Sequence, residues 1–260
     1  MPELIEVELY RQALDATVGR RISAVLTPDP TYARNNLSGD EVRAALVGTT
    51  IESTTRIGKL AVAALDSGHQ LGLRFGMTGR LVVDDVAVID ELEYSSGRDD
   101  PSWDRFVLHF ADGGVARIND PRRFGSVELD PDLTRSRGPN TTLISAMALT
   151  AALQSDRSVK AVLLDQSRIA GLGNLLVDES LWRAGIDPAR SARSLDDETV
   201  RHLRRVIRRT LTQLTRRGGS HRGDLQDERH QGGICPSDGA SLTRRTVAGR
   251  TTISCPAHQR

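Results

Sequence analysis

The chain has 260 residues, with 35 Lys and Arg against 34 Asp and Glu, so its formal net charge is +1; 38% of residues are hydrophobic, 27% charged and only 3% aromatic. This composition excludes collagen, coiled-coil and disordered classes and is enough for one large or two modest cores. No apolar run approaches the ~18 residues of a membrane span, Glu3 and Glu6 stand where a signal peptide would be basic, and two cysteines exclude a disulfide scaffold. A cytoplasmic monomer is expected.

In chain order, residues 3–17 place Leu4, Val7, Tyr10 and Leu14 at helical spacing, with acids in the first turn. From about 20 to 128 the texture is short and strand-like: ISAVL, TIEST, KLAVAAL, QLGLRFGM, RLVVDD, DRFVLHF, GVARI and SVEL. DRFVLHFADGGVARI reads as a hairpin turning at Asp112, Gly113 and Gly114, and the set predicts a β-sandwich or barrel. Residues 94–102 have the composition of a surface loop. After about 130 the pattern is helical: LISAMALTAALQ, SVKAVLLDQ, NLLVDESLWRAG and DDETVRHLRRVIRRTLTQLTRR, the last capped by Asp196 or Asp197 and stopped by Gly218 and Gly219. The expected organisation is an N-terminal β-sandwich domain with flanking helices (1–130), a linker (131–141), a helical domain (142–229) and a small C-terminal hairpin module (230–260), hence an α+β chain of two domains.

Charge is unevenly distributed. Residues 201–260 hold thirteen arginines against four acids, +9, leaving −8 on the rest, which points to a polyanion-binding face against the alternative of a solvated basic helix. Only Lys59 and Lys160 are lysines, so a retained ammonium hints at a place where a planar guanidinium would not serve.

Several constellations carry chemistry. Cys235-Pro-Ser-Asp238, sixteen residues, then Cys255-Pro-Ala-His258 is the spacing of a small structural zinc module, with His230 as an alternative fourth ligand and a zincless hairpin as the bland reading. In Met1-Pro2-Glu3, removal of Met1 leaves a secondary α-amine titrating near ~7.7–8.0, far more nucleophilic at neutral pH than a lysine near ~10.4, with Glu3 beside it as acid. NDPRRFG (119–125) sets two arginines and Phe124 at a turn, equipment for a wedge in a base stack, unless Phe124 is core. Gly171-Leu172-Gly173-Asn174 opens a helix, as a phosphate site or an ordinary tight turn.

Together MPELIEVE, RIGKL, RFGMTGRL, NDPRRFG, VKAVLLDQ…AGLGNLLVDE and AGRTTISCPAHQ resemble, in order and nearly end to end, the formamidopyrimidine-DNA glycosylase/endonuclease VIII (Fpg/Nei) family of base-excision repair. The resemblance implies a helix–two-turns–helix domain, a zinc-finger-like hairpin, and a DNA glycosylase with abasic-site (β,δ) lyase activity acting on double-stranded DNA through a Schiff base. It implies Pro2 as nucleophile, Glu3 as acid/base, Glu6 as supporting carboxylate and Lys59 as a phosphate contact at the lesion. Met77, Arg122 and Phe124 would fill the void left by the flipped nucleotide, Asn174 and Arg250 would hold flanking phosphates, and Lys160 matches a family lysine of DNA-binding or structural role. Cys235, Asp238, Cys255 and His258 would bind zinc. Three positions depart from the pattern: Ile5 replaces a proline, Asp238 and His258 replace cysteines, and 218–234 is shorter than the loop over oxidised purine, which points to a Nei-like or atypical subgroup. The competing readings are a damaged-DNA binding protein of the same fold with weak or lost catalysis, and an unrelated RNA-binding zinc protein.

Overall fold

The computed structural model describes residues 2–34, 37–90, 92–93, 97–133 and 138–260. The start of the expected 94–102 loop and part of the expected linker lie outside the described residues. The chain forms two compact units, Met1–Leu133 and Thr134–Arg260.

In the first unit the 3.6-residue apolar spacing becomes α1 (Leu4–Asp15), which buries Leu4, Ile5, Val7, Tyr10 and Leu14. Ile5 is buried, so its departure from the family signature is absorbed in packing. The helix begins with a capping box between Glu3 and Glu6. Among the described residues eleven strands follow, β1 (Ile22–Leu26), β2 (Ile51–Ile57), β3 (Leu60–Leu65), β4 (Gln70–Arg74), β5 (Arg80–Val83), β6 (Val86–Ala87), β7 (Asp104–Phe110), β8 (Val115–Asn119), β9 (Ser126–Leu129), β10 (Thr243–Val247) and β11 (Arg250–Ser254). The first nine build two antiparallel sheets, β1-β7-β8-β5-β6 and β2-β3-β4-β9, which bury Val25, Leu71, Leu73, Phe106, Leu108, Ile118 and Val127 in one core. The expected sandwich and the β7–β8 hairpin are both present. Helix α1 packs against β2, β3 and β5, so it touches both sheets. A second helix, α2 (Gly39–Leu46), was not anticipated, although its capping box Ser38–Glu41 was legible as S-x-x-E.

The second unit holds α3 (Ala146–Leu153), α4 (Val159–Leu164), α5 (Asn174–Ala184) and α6 (Asp197–Arg217). The Asp196 carboxylate caps α6 by accepting the Thr199 N–H, and Gly185 and Gly218 end α5 and α6 in the left-handed conformation. The buried face of α6, Val200, Leu203, Ile207, Leu211 and Leu214, packs on α3 and α5. Strands β10 and β11 pair through a two-residue turn in which both Ala248 (φ 53°) and Gly249 (φ 70°) are left-handed, the requirement of a type I′ hairpin.

Alanine bears a steric cost of about 1–2 kcal/mol at such a φ. Ala248→Asn, the residue type this turn position favours, is therefore expected to raise stability by a few tenths to about 1 kcal/mol, measured by denaturant unfolding.

Candidate functional site

The N-terminus, the β2–β3 turn and the loop after β4 meet at one cleft of about 190 Å³ lined by Pro2, Val7, Arg34, Lys59, Arg74, Phe75, Gly76 and Phe124. Each wall has a local cause. The Glu3 amide, which is bonded to the Pro2 carbonyl, donates to Glu6 Oε2 at 2.8 Å, so Glu6 fixes the plane of the Pro2–Glu3 peptide. Pro2, Glu3 and Glu6 are all buried. One turn further on, Tyr10 stacks against Phe75 with ring centroids 4.4 Å apart and donates to the Gly79 carbonyl at 3.3 Å. This ties α1 to the 75–79 loop.

Lys59 sits in the two-residue turn between β2 and β3, where Gly58 takes φ 60°. Arg56 braces that turn: it donates to the Gly58 carbonyl at 2.9 Å and to Glu8 of α1 at 2.7 Å. Sequence reasoning missed Arg56, Glu8, Arg34 and Arg74. For Arg74 the signal was a charge interrupting the apolar run QLGLRFGM; Glu128 pairs with it on β9.

Residues 119–125 dock on the same corner. Asp120 is fully buried and accepts from Thr78 Oγ1 (2.6 Å), the Gly125 amide (2.8 Å) and the Tyr32 hydroxyl (3.1 Å). A Cβ on Gly76 would lie 2.3 Å from the Phe124 carbonyl carbon, so the two loops touch backbone to backbone. Arg123, left-handed at φ 58°, pairs bidentately with Asp29. Burial alone would raise the Asp29 pKa; hydrogen bonds from Arg123 and Thr31 outweigh it and hold the carboxyl below its usual range. The consequence is that Arg122 and Phe124 project: Phe124 is 50% exposed, with the Arg122 guanidinium 5.0 Å above its ring. Phe124 is therefore not a core residue. Met77 is half-buried in the adjoining loop.

In the second unit, Asn174 opens α5 after the N-cap Gly173, and its Nδ2 donates to the Thr251 carbonyl at 3.0 Å. The Gly171–Gly173 turn is held by Gln166, which accepts the Gly171 amide and donates to the Leu164 and Leu172 carbonyls. Arg250 is exposed at the tip of the β10–β11 hairpin. Lys160 differs from the DNA-contact expectation. It is 0% exposed, and its ammonium is spent on Asp178 (2.6 Å), Thr252 Oγ1 (2.7 Å) and the Thr251 carbonyl (3.1 Å). The other Asp178 oxygen accepts from Arg229 at 3.0 Å and from the Ile253 amide at 3.3 Å. Lys160 thus locks the hairpin strand that faces Asn174.

Cys235, Asp238, Cys255 and His258 present donor atoms all within 4.8 Å of one another, a group able to hold a metal ion. The separations are 3.7 Å from Cys235 Sγ to His258 Nδ1, 3.3 Å from Cys255 Sγ to Asp238 Oδ2 and 2.6 Å from His258 Nδ1 to Asp238 Oδ2. The hydrogen bond from His258 holds the Asp238 carboxyl well below its usual range. His258 Nε2 lies 3.1 Å from the Trp182 carbonyl, and Trp182 Nε1 donates to Cys235 Sγ at 3.2 Å. The Trp182 carbonyl holds a proton on Nε2, and a bound metal would take the place of the Nδ1 proton that faces Asp238, with Nδ1 as the ligand atom. His230 is not in the group; its ring faces the Gln231 carbonyl and Glu228.

Comparison with known proteins matches residues 1–127 to the formamidopyrimidine-DNA glycosylase N-terminal domain and residues 137–224 to the H2TH domain of the same glycosylase. The chain is 34% identical to the formamidopyrimidine-DNA glycosylase of Jannaschia sp. (strain CCS1) and 31% identical to that of Geobacillus kaustophilus (strain HTA426), over the full length of both partners. It is also similar to the Lactococcus lactis Fpg solved in complex with DNA containing an abasic site (26% identity, all of both chains, TM-score 0.85). The same enzyme with DNA containing Fapy-dG matches at 27% identity over 99% of this chain and 100% of that one, TM-score 0.85.

Removing one partner of a buried ion pair typically costs about 3–5 kcal/mol. Lys160→Ala is expected to destabilise the protein on that scale in denaturant titration, whereas Arg250→Ala at the exposed tip stays within about 0.5 kcal/mol of the parent. Equal stability of the two variants would refute the internal role of Lys160.

Proposed function

The chain belongs to the formamidopyrimidine-DNA glycosylase family, base-excision-repair DNA glycosylases with abasic-site lyase activity, and on that premise we propose how its own residues carry the reaction. The single observation that supports the reading is that Pro2 and Lys59 line one cleft with Phe124 at its edge. The substrate is double-stranded DNA with a damaged base or an abasic site.

With Met1 removed, the Pro2 nitrogen is a secondary amine. Its lone pair attacks C1′ of the everted nucleotide, the bond from C1′ to the base breaks, and the base leaves with the proton that the amine nitrogen gives up. Glu3 protonates the ring oxygen as it departs from C1′, which gives an open-chain iminium joined to Pro2. The iminium acidifies C2′–H, so loss of that proton expels the 3′-phosphate, and a second elimination expels the 5′-phosphate. Water then hydrolyses the iminium and restores the amine. Glu6 holds the Pro2–Glu3 peptide in place for the attack. Lys59, with Arg34 and Arg74, supplies positive charge to the phosphates beside the reacting sugar.

Met77, Arg122 and Phe124 fill the void in the stack, offsetting part of the few kcal/mol needed to evert a nucleotide. The exposed, braced position of Phe124 supports this role. Asn174 and Arg250 hold flanking phosphates, and Lys160 positions them through Thr251 and Thr252.

Zinc is the metal proposed for Cys235, Asp238, Cys255 and His258, in a structural role because all four ligands come from the protein. Bonds of about 2.0–2.3 Å at tetrahedral angles put ligand atoms roughly 3.3–3.8 Å apart, the spacing of the two Cys-containing pairs here. The ion would cross-link two knuckles around a small cluster of Trp182, Leu225, Cys235 and Cys255.

Borohydride reduction of the protein mixed with abasic-site duplex is expected to give a covalent adduct, and the same protein carrying an extension before Pro2 is expected to give none. Equal adduct from both would overturn the assignment of Pro2. Metal analysis after dialysis is expected to find about one zinc per chain, falling in His258→Ala. No zinc in the parent protein would leave the hairpin held by its cluster alone.

A further inference from the structure

Helix α6 carries a surface that the reaction above does not use. Over 197–217 it has seven arginines and only two acids, both in its first turn. Arg201, Arg205, Arg208, Arg209 and Arg216 are exposed, and none forms an ion pair among the described residues. Some exposed arginines elsewhere are partnered, Arg43 with Asp40, Arg157 with Asp165, Arg193 with Asp156 and Arg245 with Asp187, but five exposed arginines with no ion pair among the described residues form a concentrated stripe along one helix face.

The spacing makes this costly to the helix itself. Arg201/Arg205, Arg204/Arg208 and Arg205/Arg209 are like-charge pairs at i,i+4, the spacing at which neighbours on a helix face repel. At 100° per residue the five exposed arginines fall in a sector of about 100°, centred roughly 160° from the face that packs on α3 and α5. The stripe therefore points away from α5, whose first residue is Asn174. From Arg201 to Arg216 the stripe runs about 22 Å along the helix, and duplex DNA offers one phosphate charge per ~1.7 Å of axis along that length.

We propose that the outer face of α6 is a second DNA-binding surface, which holds the phosphate backbone of an undamaged duplex segment separate from the duplex engaged at Asn174 and Arg250. Charge complementarity names the occupant: parallel rows of phosphates relieve the repulsion among Arg205, Arg208, Arg209 and Arg216, which lie beyond the acids of the first turn. The contact reads no bases, since it is a single row of guanidinium groups on a convex helix with no groove-reading element beside it. It would let one molecule pass between segments of DNA without dissociating fully. The proposal goes beyond the glycosylase reading and is tested without catalysis.

The test uses the full-length protein, a short undamaged blunt duplex and the variant R201Q/R205Q/R208Q. Sedimentation equilibrium at low salt is expected to show two duplexes per chain for the parent and one for the variant, with the first-site affinity unchanged within twofold. The second binding step of the parent should weaken with salt along a log–log slope of about −3 or steeper, one unit per phosphate neutralised. The variant should melt at the same temperature as the parent or higher, because glutamine keeps helix propensity and removes repulsion. One duplex per chain in the parent, two in the variant, a second step insensitive to salt, or a lower melting temperature in the variant would each overturn the proposal. So would loss of binding to phosphatidylserine vesicles with duplex stoichiometry unaltered.

Discussion

The first unit depends on how the start of α1 is held. A chain terminus ordinarily frays because nothing repays the entropy of ordering it. Here residues 2–7 are buried, Glu6 receives the Glu3 amide, and Tyr10 bonds to the 75–79 loop one helical turn later. The same helix reaches the Lys59 turn through Glu8 and Arg56. One helix thus determines where the second residue of the chain lies relative to the only lysine of its unit. Catalysis by a terminal amine requires this kind of pre-organisation, because a mobile nucleophile would forfeit most of the advantage of proximity.

The second unit has its own hub at Asp178. Its two carboxylate oxygens hold Lys160, Arg229 and the Ile253 amide, which joins α4, α5, the segment before the finger and strand β11. A buried carboxylate between two cations contributes little net stability by itself, but any one partner removed leaves a charge stranded. The arrangement therefore specifies one relative position of Asn174 and the hairpin, which the Asn174 side-chain amide meets at the Thr251 carbonyl. Arg229 belongs to the short 218–234 segment, and Glu179 further pins that segment by accepting the Asp224 and Leu225 amides.

Much of this was legible in the order of residues because the signals were local. Alternating apolar runs placed the strands of the sandwich, Asp196 and Gly218 bounded α6, and the spacing of the two cysteines placed the metal group. What escaped had non-local causes. Whether Phe124 is core or surface depends on Asp120, which closes its loop against Thr78 and Tyr32 from distant parts of the chain. Lys160 resembles a DNA contact in sequence, yet its surroundings include Thr251 and Thr252, some ninety residues later. Arg34 and Arg74 join the cleft only because β4 and β9 pair and the segment before α2 bonds to Val127.

Peptide mapping of the borohydride-reduced complex with abasic-site DNA tests the account most directly. Trypsin releases the N-terminal segment up to Arg11, well separated from the peptides containing Lys59 and Lys160. The sugar remnant should be found on the peptide beginning at Pro2, with the fragment ions assigning it to the terminal nitrogen. A remnant on Lys59 would move the nucleophile to the β2–β3 turn and contradict the central claim.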